Sequence, residues 1–144
     1  MSRLVAALAI FLIALVAPLA AQAQTNPFVG SWRGIATVNG MAVTFNLVMQ
    51  PNQTYSQQLQ AGSMMTLQTG SYRVANGMIA FAVVDWQPKT QPVYHPTGTV
   101  GGYYTQQPMA KPPGGTFRYQ FTSPTSVTLQ DVSLGGIITF TRVQ

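Results

Sequence analysis

The chain contains no cysteine and no glutamate, and its only acids are Asp85 and Asp131. The missing thiols exclude a disulfide framework and any thiolate-bound zinc or iron–sulfur site. With 6% charged residues in 144, a charge-laced helical bundle, a coiled coil and a charge-rich disordered chain are excluded as well. Histidine occurs once, as His95. A Ser-His-Asp arrangement would need it together with a carboxylate, and neither aspartate forms a motif with it. A paired-carboxylate mechanism would need Asp85 and Asp131 within about 10 Å of each other, which nothing in the sequence supports. With the usual acid, base and nucleophile constellations missing, no catalytic residue is assigned and the chain reads as a non-enzyme. Asp131 reads as structural, pairing with Arg142 or satisfying a turn.

Two further absences bear on partners. Beyond Arg3 near the start, the basic residues Arg33, Arg73, Lys89, Lys111, Arg118 and Arg142 are scattered rather than clustered, so no nucleic-acid surface is expected. Met41, Met49, Met64, Met65, Met78 and Met109 would be soft ligands for Cu(I), but most fall on strand faces where methionine is adaptable filler. No metal and no cofactor is assigned.

What is present begins with a leader. Arg3 precedes an unbroken apolar run from Leu4 to Ala17, Pro18 breaks it, and Ala21-Gln22-Ala23 offers small residues at a cleavage site. This is the layout of a signal peptide over residues 1–23. At 14 residues the run is short of the roughly 20 needed to span a bilayer. The expectation is an exported bacterial protein, periplasmic or extracellular, with no membrane span after cleavage and a single domain over residues 24–144.

That domain reads as all-β. Gly and Pro interrupt it at short intervals, and the runs between are rich in Val, Ile, Thr, Tyr and Phe. Eight strands are expected: Gly30–Val38, Met41–Gln50, Thr54–Gln60, Met65–Val74, Met78–Trp86, Thr116–Thr122, Ser126–Asp131 and Ile137–Val143. Asn39-Gly40 and Asn76-Gly77 mark hairpin turns, because both positions accept φ > 0. Met41, Val43, Phe45, Leu47 and Met49 share one face of their strand. Phe117, Tyr119 and Phe121 share a face of theirs. Tight connections throughout favour an eight-stranded antiparallel up-and-down barrel; a sandwich is the competing solution.

Residues 87–115 break the pattern with six prolines and five glycines. The expectation is a long Pro/Gly-rich loop before the last three strands, with a short extra strand available over Val100–Thr105. Strand Met78–Trp86 is apolar on both faces, so something should cover its outer side. The candidates are the 87–115 loop, with Tyr94, Tyr103 or Tyr104 near Trp86, or a protein partner or second copy bound through strand 78–86 or the loop.

The two ends of the domain carry a resemblance. Phe28-Val29-Gly30-Ser31-Trp32 heads the first strand and Thr139-Phe140-Thr141-Arg142-Val143 forms the last. With Pro51-Asn52-Gln53-Thr54-Tyr55 and Thr69-Gly70-Ser71-Tyr72 between them, the order resembles the calycin superfamily, and in particular small bacterial lipocalin-like domains. The resemblance implies a lipocalin-like barrel in which Trp32 packs at the closed end and Arg142 lies across it. It also implies binding of a small apolar or amphipathic molecule. The chain lacks the disulfides and C-terminal helix of classical lipocalins. Avidin-like proteins share the Gly-x-Trp start, but their pocket uses several tryptophans, and only Trp32 and Trp86 occur here, so biotin is not implied.

Candidate ligand-binding residues are Tyr55, Tyr72, Phe81, Tyr94, His95, Tyr103, Tyr104 and Tyr119, which could line or cap a pocket. The alternative function is a barrel filled by its own side chains that acts as a cell-envelope interaction module through the 87–115 loop. An open interior of several hundred Å³ would favour the first reading, and a solid core the second.

Overall fold

The computed structural model describes residues 25–98 and 101–144. The leader expected over residues 1–23 lies outside the described residues, as does Val100. All regular structure among the described residues is β-strand: β1 (Gly30–Val38), β2 (Met41–Met49), β3 (Thr54–Ala61), β4 (Met64–Ala75), β5 (Met78–Gln87), β6 (Thr90–Pro96), β7 (Gly102–Pro108), β8 (Gly115–Ser123), β9 (Ser126–Asp131) and β10 (Ile137–Val143). Eight of these close into an antiparallel barrel in the order β1-β10-β9-β8-β5-β4-β3-β2. The competing sandwich is thereby ruled out.

Local chemistry explains the up-and-down path. At the β1–β2 turn Asn39 and Gly40 have φ of 50° and 77°, and at the β4–β5 turn Asn76 and Gly77 have 52° and 72°. Two successive left-handed residues match the twist of the flanking strands. Period-two alternation then sends one set of side chains inward. Tyr55 and Tyr72, Phe45 and Leu47, Val127 and Leu129, and Phe140 are buried in this way.

One end of the barrel is closed by the residues that precede β1. Phe28 folds under the barrel, its ring 4.9 Å from Tyr119 in a T-shaped contact and 5.0 Å from Phe121. Trp32 Nε1 donates to the Phe28 carbonyl at 2.7 Å. Arg142 donates to the carbonyls of Val29 and Pro27, both at 2.7 Å. Asn26 donates to the Tyr72 hydroxyl at 2.9 Å, and that hydroxyl donates to the Gln50 carbonyl at 2.8 Å. Burying Phe28 alone contributes about 2–3 kcal/mol, and the hydrogen bonds satisfy backbone groups that the plug would otherwise strand.

The long connection before the last three strands is present but more ordered than a loop. Its β6 and β7 form a separate two-stranded antiparallel sheet with no strand pairing to the barrel among the described residues. The phase of the hairpin explains this. Met109 N bonds Lys89 O at one end and Thr97 N bonds Gly101 O at the other, so odd-numbered residues face the partner strand. Pro92 and Pro96 therefore fall on the outer edge of β6, where a missing N–H does no harm inside the hairpin and stops the edge from joining a sheet.

The 87–115 segment does not cover β5. Ala80, Ala82 and Val84 on its outer face are exposed, and Val84 is 69% accessible. The group over the Trp86 ring is the Lys89 ammonium, 3.6 Å from the centroid, and no tyrosine of the hairpin stacks there. Two of the three outer residues are alanines, which present little apolar area.

Candidate functional site

The barrel interior divides in two. In the half near the plug, Phe28, Trp32, Met49, Ile79 and Val127 leave a void of only about 10 Å³, too small for more than one water. In the other half lies a cavity of about 210 Å³. Its walls are mainly apolar: Phe45 and Leu47 from β2, Phe81 and Val83 from β5, Phe117 from β8, Leu129 from β9, and Ile138 and Phe140 from β10.

Polar groups enter at three points. Gln57 and Gln68 are direct cross-strand partners of the β3–β4 register and both line the cavity. Two neighbouring amides supply donors and acceptors side by side. Tyr55 brings a phenol whose pKa burial raises above 10.0. Asp131 lies at the rim, but its Oδ1 accepts the backbone N–H groups of Ser133 and Leu134, both at 2.7 Å. Of the two roles anticipated for Asp131, the turn is the one formed; Arg142 is at the other end of the barrel.

The wall is weakest between β5 and β8. These strands pair only from Met78–Phe81 to Gly115–Arg118, whereas β5 runs on to Gln87. Pro113, Gly114 and Gly115 close that side of the cavity in place of a paired strand. A β-carbon on Gly114 would fall on the Phe81 carbonyl oxygen, so glycine is what lets the segment lie this close. Opposite, the β4–β5 register shifts between Thr69 and Gly70. Val84 is the extra residue of this bulge, so Val83 keeps the inward phase of Ile79 and Phe81, while beyond it Trp86 is the residue opposite Gln68.

The eight candidate ligand-binding residues separate into three groups. Tyr55 and Phe81 line the cavity, their rings 5.0 Å apart. Tyr72 and Tyr119 sit at the plugged end, one bonded to Asn26 and Gln50 and the other against Phe28. Burial raises the Tyr72 pKa, and the Asn26 bond opposes that shift. Tyr94, His95, Tyr103 and Tyr104 are on the hairpin, outside the cavity. There they form cross-strand pairs: Tyr94 with Tyr104, and His95 stacked on Tyr103, each with ring centroids 5.1 Å apart. His95 Nε2 also lies 2.7 Å from Thr105 Oγ1.

Gln57, Gln68 and the Pro113–Gly115 segment were absent from the sequence expectation. The two glutamines share the inward phase of Tyr55 and of Gly70 and Tyr72, so alternation alone would have found them. The remaining ionisable pair near the mouth is Asp85 with Lys89, an exposed salt bridge that lowers the Asp85 pKa.

The fold and site thus define a closed, eight-stranded antiparallel barrel, plugged at one end and hollow at the other. No protein-family model matches the chain, and no curated protein matches it.

Proposed function

We propose that this protein is an exported, lipocalin-like binding protein that holds a small apolar or amphipathic molecule in the hollow half of its barrel. The observation that carries this reading is the cavity of about 210 Å³ with an apolar wall and the Gln57–Gln68 amide pair set into it. A dry apolar cavity of about 150 Å³ holds one benzene ring. The ligand is therefore of the size of one or two rings or a short acyl segment, with a single hydrogen-bonding group directed at the glutamines. The order of the calycin-like motifs, from Gly30 and Trp32 to Arg142, supports membership of that superfamily. The leader over residues 1–23 supports export. The reading is one of binding rather than turnover, since Asp85 is engaged by Lys89 and Asp131 by its own turn.

A second reading, recruitment of a protein partner or second copy through the hairpin, is favoured by one observation. On the outer edge of β7 proline occurs only at the last residue, Pro108, so Gly102, Tyr104 and Gln106 keep outward N–H groups, whereas Pro92 and Pro96 interrupt the edge of β6. Such an edge can accept an added strand.

The test is native mass spectrometry of the protein purified from its own host. The binding reading expects a co-purifying small molecule that is lost when Val83→Trp fills the cavity. Protein of bare polypeptide mass that also fails to take up added naphthol would overturn it.

A further inference from the structure

In an up-and-down barrel all alternate turns lie at one end, and here the residues that flank the turns differ between the hollow end and the plug. Val38 and Met41 flank the β1–β2 turn, Met64 opens β4 directly after the next turn at that end, and Leu134 and Ile137 lie on the β9–β10 connection. All five side chains are exposed; Met64 is 67% and Leu134 88% accessible. The turns at the plugged end are Asn52-Gln53, Asn76-Gly77 and Pro124-Thr125, and the exposed large apolar side chains at that end are Met78 at 38% and Val143 at 50%. Turn geometry does not demand apolar tips at either end, so the tips around the hollow end serve something other than the path of the chain.

Charge follows the same division. Arg142 and Arg73 lie toward the plugged end, where β10 finishes and β4 approaches its last residue, and Arg118 faces Met78 at the start of β5. Around the hollow end Lys89 is paired with Asp85, Asp131 caps its own turn, and Lys111 is exposed two residues before Pro113 of the cavity wall. An apolar rim therefore surrounds the cavity mouth with little charge to desolvate, while the chain as a whole carries an excess of basic residues. The hairpin that adds the exposed Tyr94, Tyr103 and Tyr104 leaves from this same end.

We propose that the hollow end of the barrel docks on the surface of an anionic lipid bilayer. The tips come from three separate turns spaced around an opening, not from one flat strand face. A fluid interface accommodates separated apolar tips, whereas a protein interface needs a contiguous, matched core. Tyrosine favours the headgroup region, and the exposed Lys111, two residues before Pro113 of the cavity wall, offers a basic group to anionic headgroups at this end. Docked this way, the mouth of the cavity faces the bilayer, and an amphipathic ligand passes between lipid and barrel without crossing bulk water; this last step rests on the binding function proposed above.

The test is co-sedimentation of the purified protein with vesicles of mixed phosphatidylethanolamine and phosphatidylglycerol. Wild-type protein should sediment with the vesicles. The double variant Met64→Asp/Leu134→Asp should lose more than about tenfold in binding, since two exposed apolar tips become charges. Met78→Asp, one charge on a side chain 38% exposed at the plugged end, should bind as wild type does. Both substitutions fall on exposed side chains, and an unchanged circular dichroism spectrum verifies the fold. Val83→Trp, which fills the cavity, should still sediment, so loss of naphthol uptake with vesicle binding intact strikes the ligand reading alone. The proposal is overturned if wild-type protein stays in the supernatant, or if Met78→Asp is lost from vesicles as fully as the rim variant. A wild-type dimer that Leu134→Asp dissociates, with no vesicle binding, would also overturn it and make the rim a homotypic interface.

Discussion

The guanidinium carbon of Arg142 lies 4.3 Å from the centroid of the Trp32 ring. The two residues are direct partners in the β1–β10 register, which puts both side chains on the same face of the wall. Trp32 is 1% exposed, so the contact is shielded from competing water. The same guanidinium donates to Val29 and Pro27, so one side chain joins the last strand, the first strand and the plug.

Replacing Arg142 with alanine removes the ring contact and leaves two plug carbonyls without their donor. The expected loss is about 1–3 kcal/mol, read as a lower urea midpoint at unchanged slope. Arg142→Lys should recover only part of it, because an ammonium lacks the planar fork that reaches both carbonyls. Equal stability of wild type and Arg142→Ala would remove the pair from the account of how the barrel is closed.

Gly70 is the tightest point of the wall. A β-carbon there would fall on the Ala82 carbonyl oxygen and crowd the Tyr55 ring. Because backbone must move, Gly70→Ala should destabilise by more than about 2 kcal/mol. Gly136→Ala, where nothing stands within 4 Å, is the matched control. Thermal melts of the two variants make the comparison.

Tyr55 and Tyr72 are both held neutral by burial, with pKa values raised above 10.0. In the unfolded chain they release their protons first. The stability they contribute is therefore complete below pH 10.0 and is lost as pH rises through their folded values. Urea midpoints should fall across that alkaline range, and a Tyr55→Phe/Tyr72→Phe double variant should show a shallower fall from its own, lower starting value. An identical slope in the variant would mean that other groups carry the alkaline transition.

The hairpin pairs with itself and leaves the outer face of β5 bare. Replacing residues 90–108 with a short Gly/Ser loop should leave the barrel folded, with a melting temperature within a few degrees of wild type. Aggregation or dimerisation of the shortened protein would restore the hairpin to the role of a cover.

The strands of the barrel were legible because their signals are local. Asn-Gly turns and alternation from Met41 to Met49 depend on neighbours in the chain, and all eight strands close the barrel in the expected order. The hairpin was less so: a proline-rich stretch reads as loop until the hydrogen-bonding phase shows that Pro92 and Pro96 fall on an outer edge. The cavity was the least legible part. Aromatic residues suggested a pocket, yet Tyr72 and Tyr119 are drawn to the plug by Asn26 and Phe28, which precede the first strand. Gln57 and Gln68 were passed over because a polar residue ordinarily faces water. Which half of the barrel is filled depends on where Phe28 folds back, a tertiary fact with no local signature.

The central claim, that the half of the barrel away from the plug receives a small apolar ligand, is tested most directly by NMR titration with naphthol. The account predicts shifts of the methyl groups of Leu129, Ile138 and Val83, which line the cavity, with those of Ile79 and Val127 in the filled half left in place. Shifts confined to exposed residues such as Leu134 and Val84, or no saturable shift at all, would contradict it.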